Sequence, residues 1–445
     1  MSVTAAQSAA LLSPCSVALS WLGIWRPPGG RRWRWGLGVL GAVLIAGLDI
    51  TISSLALLQM LIARPEDPAE FREVFFICSC GLSWSVKVVA FLLQWERLQR
   101  MVLCLLDAMT RFPDHGAGVR ERYTKMAYTV WRLWQAFPAV TVLLWMSDPL
   151  LQTLMAPPAE NATRPLIFWL PVEVQGSPAY EITYALEAFF IGTVSETSIL
   201  MDIFLIILLV YAAGEIAVLN ENVAGMGHAK QRDPAKAQPV ESSGEKLSTY
   251  KASYAPSRSS PAPDVTGGSK AELLAMDRDD ARSELYSALA RNIKHHQVII
   301  TYINDLEVVL STSIYVLLLT NALNVCLHSF GLVALFQEGA TSSTVVKEII
   351  SFVSFLAQTG LFCFFGQLII DQADQLQFSA FSCDWPNADE AFRRSLRIFM
   401  VRATCPLKVT VGKLVELSSN TFLQAVNASY TIFNMLFNLQ TSDEN

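Results

Sequence analysis

Seven stretches of this chain are apolar over about the 20 residues that a helix needs to cross the hydrocarbon core of a bilayer. They lie near residues 36–63, 74–93, 128–154, 179–219, 308–336, 345–370 and 415–439. In lipid every backbone N–H and C=O must be paired within the protein, so repeated spans of this length form a helical bundle. The composition agrees: of 445 residues, 52% are hydrophobic and only 16% charged, with a mean hydropathy of +0.36. The expected fold class is an all-α membrane protein with seven transmembrane helices. Its eight cysteines are scattered, with only Cys78 and Cys80 close together, which is neither a disulfide framework nor a zinc site.

The loops carry an unequal share of the basic residues. The N-terminus and the even-numbered loops hold 27, whereas the odd-numbered loops and the C-terminus hold 4, counting Lys347 with the loop before it and setting aside Lys87 and Arg132 inside spans. The positive-inside rule then predicts a cytosolic N-terminus and an extracellular C-terminus. The basic cluster Arg26, Arg31, Arg32 and Arg34 follows the apolar Leu11, Leu12 and Trp21, an order that does not read as a cleaved signal peptide. The sequon at Asn161 falls in a loop that this topology places outside, where glycosylation is possible. A second sequon, at Asn427, lies inside a span and is expected to be unused.

The predicted organisation is a cytosolic N-terminus (1–35), four spans (36–219), a cytosolic loop (220–304), two spans (305–370), a cytosolic segment (371–414), a seventh span (415–439) and an extracellular tail (440–445). The fourth to sixth spans exceed the bilayer, which predicts an intracellular helical layer. From about 228 to 270 the chain is rich in Ser, Pro, Ala, Gly and Lys, and is expected to form a disordered insert. The net charge of −6 is spread over loops and points to no nucleic-acid partner.

The seventh span carries a polar stripe. At 100° per residue, Asn420, Gln424, Asn427, Thr431, Asn434 and Asn438 fall within roughly 80° of one another. Phe422, Val426, Phe433 and Leu436 occupy the opposite side. Amides do glue neighbouring helices, but one or two suffice for that. Six in register are expected to line a hydrated path. Asp49, Lys87, Asp148, Glu187, Glu196, Asp202 and Glu307 lie in or near spans, where structural pairing or helix-end exposure is expected for most, Glu196 being singled out for test. The pair His295 and His296 is expected to be solvated, and two histidines alone make no metal site.

Towards the C-terminus stand Phe362-Cys363-Phe364-Phe365-Gly366, Ala380-Phe381-Ser382-Cys383-Asp384-Trp385, Arg393-Arg394, Pro406-Leu407, Gly412-Lys413, Leu417-Ser418, Thr421-Phe422 and Ser429-Tyr430-Thr431. In this order and spacing, residues 361–439 resemble the insect odorant receptor family. The chain departs from the family pattern at Cys405, commonly Arg, and at Pro386, commonly aromatic. Its insert sits where the family's shared co-receptor has one, but the Ser429-Tyr430-Thr431 ending resembles that of a ligand-tuned member and not that of the co-receptor.

The resemblance implies an odorant-gated, non-selective cation channel, assembled with the olfactory co-receptor as a tetramer around one pore in the plasma membrane of olfactory sensory neuron dendrites. Its implied partners are a small volatile odorant, the co-receptor, membrane lipid, and Na+, K+ and Ca2+ as permeant ions; no cofactor is implied. The family's outer gate maps onto Met435, within roughly 60° of Asn438 on the wheel, so the pore residues are Asn427, Thr431, Asn434, Met435 and Asn438. Odorant sites in the family lie in the outer halves of spans two, three, four and six. Here those halves offer Phe75, Phe76, Ser79, Thr141, Trp145, Tyr184, Phe189, Phe190, Thr193, Phe352 and Phe355. Residues 371–414 would anchor subunits to one another. The alternatives are a gustatory-receptor-like channel, whose terminal pattern is absent, and a G-protein-coupled receptor, which requires the opposite orientation. No phosphate loop, nucleophile elbow or metal-ligand spacing points to an enzyme.

Overall fold

The computed structural model describes residues 15–22, 24–25, 32–62, 68–115, 118–155, 174, 176–227, 267–338 and 342–443. Within them the chain forms α1 (Cys15–Trp21), α2 (Arg32–Ile62), α3 (Pro68–Leu93), α4 (Trp95–Arg111), α5 (Val119–Met155) and α6 (Ala179–Ala224). There follow α7 (Gly267–Glu338), α8 (Ser342–Phe381), α9 (Glu390–Ala403), the strands β1 (Thr410–Val411) and β2 (Val415–Glu416), and α10 (Ser419–Asp443). Asn161 and residues 228–266 of the expected insert lie outside the described residues.

Seven of these helices, α2, α3, α5, α6, α7, α8 and α10, correspond to the seven expected spans. Among the described residues, five helices are apolar enough over a spanning length by composition alone, namely α2, α3, α6, α7 and α8. The other two, α5 and α10, carry more polar residues, α10 because of its amide stripe. At the centre stands α6, apolar on every side and buried on every side from Thr197 to Asn220, as a helix without a solvent face must be. It packs against α1, α2, α3, α5, α7 and α8.

Several boundaries differ from those read in the sequence. The loop expected over 220–304 is helical up to Ala224 and again from Gly267, because α7 is one helix of 72 residues. Its polar segment hides a helical stripe: Leu289, Asn292, His296, Ile299, Ile303 and Leu306 are all buried. Likewise α8 continues past 370 on the buried residues Ala373, Leu376 and Ala380. The seventh helix starts at Ser419 rather than 415, since Val415 and Glu416 pair with Val411 and Thr410 in a short antiparallel hairpin. Part of the N-terminal segment, expected as a cytosolic tail, is docked instead, with Cys15 Sγ donating to the Leu200 carbonyl at 3.0 Å and Trp25 packed 5.0 Å from Phe204.

The expectation of solvated histidines is overturned. His295 and His296 are both buried, because α4, α5, α6 and α7 meet around them. Glu215 accepts from His295 Nε2 at 3.0 Å and from Arg120 Nε and Nη2 at 2.8 Å each, and the ring of Phe112 stacks 4.3 Å from His295. His296 meets Phe399 of α9 edge-on at 5.4 Å.

The C-terminal sequence pattern now has physical reasons. A Cβ on Gly366 would lie 2.3 Å from the Leu417 carbonyl oxygen, so only glycine lets α8 approach the chain just before α10. Gly412 and Lys413 turn the hairpin with φ of 60° and 59°, and the Gly412 N–H donates to the Ser311 carbonyl of α7 at 2.9 Å. Ser418 caps α10 through the Thr421 N–H at 3.3 Å, and Asp389 caps α9 through the Phe392 N–H at 3.0 Å. Cys383 is buried, and that burial pushes its thiol up to about 11.

Candidate functional site

A cavity of about 130 Å3 lies between α3, α5, α6 and α8, each of which contributes one helical stripe. Phe76, Cys80 and Trp84 come from α3, and Trp134, Thr141, Val142 and Trp145 from α5. Ile191, Ser195, Ser198, Ile199 and Asp202 come from α6, and Ser351, Ser354, Phe355 and Gln358 from α8. Spacings of three, four and seven residues put each set on one face of its helix.

At one end the wall is aromatic. Phe76 stacks on Trp145 with ring centroids 4.7 Å apart and meets Phe355 edge-on at 5.8 Å. His328 of α7 lies against both phenylalanines, 5.3 Å from Phe76 and 5.5 Å from Phe355. Next to this layer sit the ion pair of Arg72 with Glu348 at 3.5 Å and the ammonium of Lys347, 4.5 Å from the Trp145 ring. Polar groups along the middle satisfy one another: Thr141 with Ser354 at 3.0 Å, and the Trp145 indole N–H on Ser351 at 3.0 Å.

The other end is polar and charged. Lys87, fully buried on α3, reaches both carboxylate oxygens of Asp202 at 3.1 and 3.0 Å and also donates to Ser198. Gln358 Nε2 donates to Asp202 at 2.7 Å, while its Oε1 accepts from Asn321 Nδ2 of α7 at 2.9 Å. One residue further along α7, the Ala322 carbonyl accepts from Ser429 of α10 at 3.0 Å. The hydrogen-bonded chain from the cavity thus ends on Asn321 of α7, and the neighbouring Ala322 carbonyl separately ties α7 to the last helix.

Of the ligand candidates read in the sequence, Phe76, Thr141, Trp145 and Phe355 line the cavity. Ser79 turns to α7, donating to Asn324 at 2.8 Å, and Tyr184 donates to the Met146 carbonyl. Phe75 stacks with Phe71 at 6.2 Å, and Phe189, 64% exposed, neighbours Phe190 at 6.1 Å. Thr193 donates to its own helix at Phe189, and Phe352 is half-buried away from the cavity. Sequence reasoning missed Trp84, Trp134, Ser195, Ser198 and Gln358 as cavity residues, and had Asp202 only as an intramembrane charge. Glu196 accepts from Gln135, and Glu307 from Thr410.

On α10, the face bearing Phe422 and Ser429 packs on α8 and α7. The stripe on the other side is open within the single chain: Asn420, Gln424, Asn427, Thr431 and Met435 are exposed and Asn434 is half-buried. The side chain of Asn438 lies outside the described residues. Among the described residues, no group of three or more His, Cys, Asp or Glu side chains could hold a metal ion.

The long apolar helices, packed around a cavity, are those of a multi-pass membrane protein. The model of the 7tm Odorant receptor family matches residues 67–430, and the chain belongs to that family. It is similar to Odorant receptor 85c of Drosophila melanogaster, 27% identical over 37% of this chain and 41% of the relative. It is also similar to Odorant receptor 22b of the same species, 27% identical over 35% of this chain and 39% of the relative. The chain thus spans well under half the length of these curated relatives that it matches. The solved structure of the insect olfactory receptor OR5 from Machilis hrabei in complex with eugenol shares the fold, with a TM-score of 0.73 at 15% identity, covering 98% of this chain and 99% of that one.

Proposed function

We propose that this chain is a ligand-tuned odorant receptor subunit, a volatile-gated, non-selective cation channel that works in a tetramer with the olfactory co-receptor. The observation that carries this reading is the hydrogen-bonded chain from Asp202 through Gln358 to Asn321 of α7, whose next residue, Ala322, accepts from Ser429 of α10. An occupant of the cavity competes for groups whose hydrogen bonds end on α7, one residue from its bond to α10. The stripe of Asn427, Thr431, Asn434, Met435 and Asn438 then faces the shared pore. Its neutral amides, without a carboxylate ring, suit weak discrimination among Na+, K+ and Ca2+. A small volatile molecule such as the eugenol held by the Machilis hrabei receptor is the kind of ligand that the aromatic walls favour.

The distribution of basic residues supports a cytosolic N-terminus, an extracellular C-terminus and an outward-facing Asn161. In that orientation α4, α9, the hairpin and the ends of α7 and α8 form the cytosolic layer in the plasma membrane of the sensory dendrite, and 371–414 anchors subunits.

Whole-cell current under a broad volatile panel tests the reading, with the chain expressed alone and with the co-receptor while G-protein signalling is blocked. A fast cation current only with the partner is the expected result. Trp145→Ala is expected to shift the dose–response about tenfold, the loss of one stacked aromatic wall, and to leave the reversal potential unchanged. Responses that vanish when G-protein signalling is blocked, or a reversal potential that moves with Trp145→Ala, would sink the proposal.

A further inference from the structure

The unsatisfied groups of the cavity specify a ligand more narrowly than its aromatic walls do, an inference that rests on reading this cavity as the ligand site. Its volume of about 130 Å3 is close to the about 150 Å3 of a cavity that takes up benzene, which sets the scale of its occupant at a single six-membered ring. The polar pairs Thr141 with Ser354 and Trp145 with Ser351 are already closed and ask nothing of an occupant.

Ser195 and Ser198 differ. They are 4% and 3% exposed, both line the cavity, and neither hydroxyl proton has an acceptor among the described residues. The Ser198 oxygen is occupied by the Lys87 ammonium, so its own proton is left to point elsewhere. Three residues apart on a helix, the two side chains stand about 5–6 Å from each other, and one oxygen between them reaches both. A hydroxyl in the cavity wall with no acceptor of its own can donate to an acceptor on the ligand, a bond that an apolar ligand leaves unmade. The charged residue in the cavity lining, Asp202, is already held by Lys87, so an ionic ligand would be desolvated without a free counter-charge in the wall.

We infer that the cavity selects a neutral, single-ring volatile carrying one oxygen acceptor, held by the hydroxyls of Ser195 and Ser198. Aromatic alcohols and aldehydes belong to this class; aromatic hydrocarbons, amines and acids do not.

The test is equilibrium partition of four probes into nanodiscs holding the full chain, read by headspace gas chromatography against empty nanodiscs. Benzyl alcohol and benzaldehyde are expected to bind about tenfold more tightly than toluene, the effect of two modest hydrogen bonds, and benzylamine no more tightly than toluene. Ser195→Ala should remove most of that advantage while toluene binds unchanged, which also shows that the cavity is still formed. Ser198→Ala should act in the same direction. Equal binding of toluene and benzyl alcohol, a uniform weakening of all probes by Ser195→Ala, or no binding of any probe overturns the inference. Binding as expected but without evoked current would leave this ligand class standing and remove the channel reading. Currents evoked by other volatiles, with no binding of benzyl alcohol, would do the reverse.

Discussion

Lys87→Leu is expected to reduce the receptor at the cell surface by more than tenfold, measured by surface biotinylation. Lys87 is wholly buried and holds both oxygens of Asp202, itself only 1% exposed. Asp49 of α2 is buried within the field of the same ammonium, and neither of its carboxylate oxygens has a hydrogen-bond partner among the described residues. Removing one partner of a buried ion pair costs about 3–5 kcal/mol, because the other charge stays behind in a poor dielectric. That is a large part of a typical folding free energy of about 5–15 kcal/mol. The double replacement Lys87→Met with Asp202→Asn should recover at least half of the surface level, since it removes both charges and keeps an amide for Gln358. Normal maturation of Lys87→Leu alone would show that the pair is dispensable for folding.

Gly366→Ala is expected to abolish ligand-evoked current. A methyl group there would stand 2.3 Å from the Leu417 carbonyl oxygen and 2.4 Å from the Leu417 Cβ, at a point where backbone rather than a flexible side chain is in the way. Overpacking of this kind costs about 1–3 kcal/mol and forces helices apart. The displaced segment leads straight into α10, so the damage falls on the helix that carries the polar stripe. Gly47→Ala is the control, since a Cβ on Gly47 of α2 meets nothing within 4 Å. Full current from Gly366→Ala would mean that α8 and α10 can separate there without consequence.

The bundle itself was legible because a run of 20 apolar residues has few alternatives, and the stripe on α10 because a helical wheel needs no neighbours. Extents were harder. The segment before 308 reads as a polar loop until one notices that Leu289, His296, Ile299 and Ile303 share a face. The cavity was legible only in part, for a reason of phase. Adjacent residues on a helix point about 100° apart, so Phe75 and Phe76 face different neighbours, and Phe76 is the one that lines the cavity. Which one depends on how α3 is rotated against α5, α6 and α8, and that rotation is set by packing. Ser195 and Gln358 are unremarkable in sequence for the same reason, and Asp202 announces a buried charge without naming Lys87 as its partner.

The docking of α1 has a consequence in time. Cys15 leaves the ribosome 185 residues ahead of Leu200, the carbonyl to which its thiol is bonded. At about 5–20 residues per second, roughly 10–40 s of synthesis separate the two. Throughout that interval Leu19, which ends fully buried, has no finished surface to rest against. The segment Cys15–Trp21 is therefore among the later pieces to settle, and biogenesis of this receptor includes a waiting period in which α1 depends on lipid or a chaperone for cover.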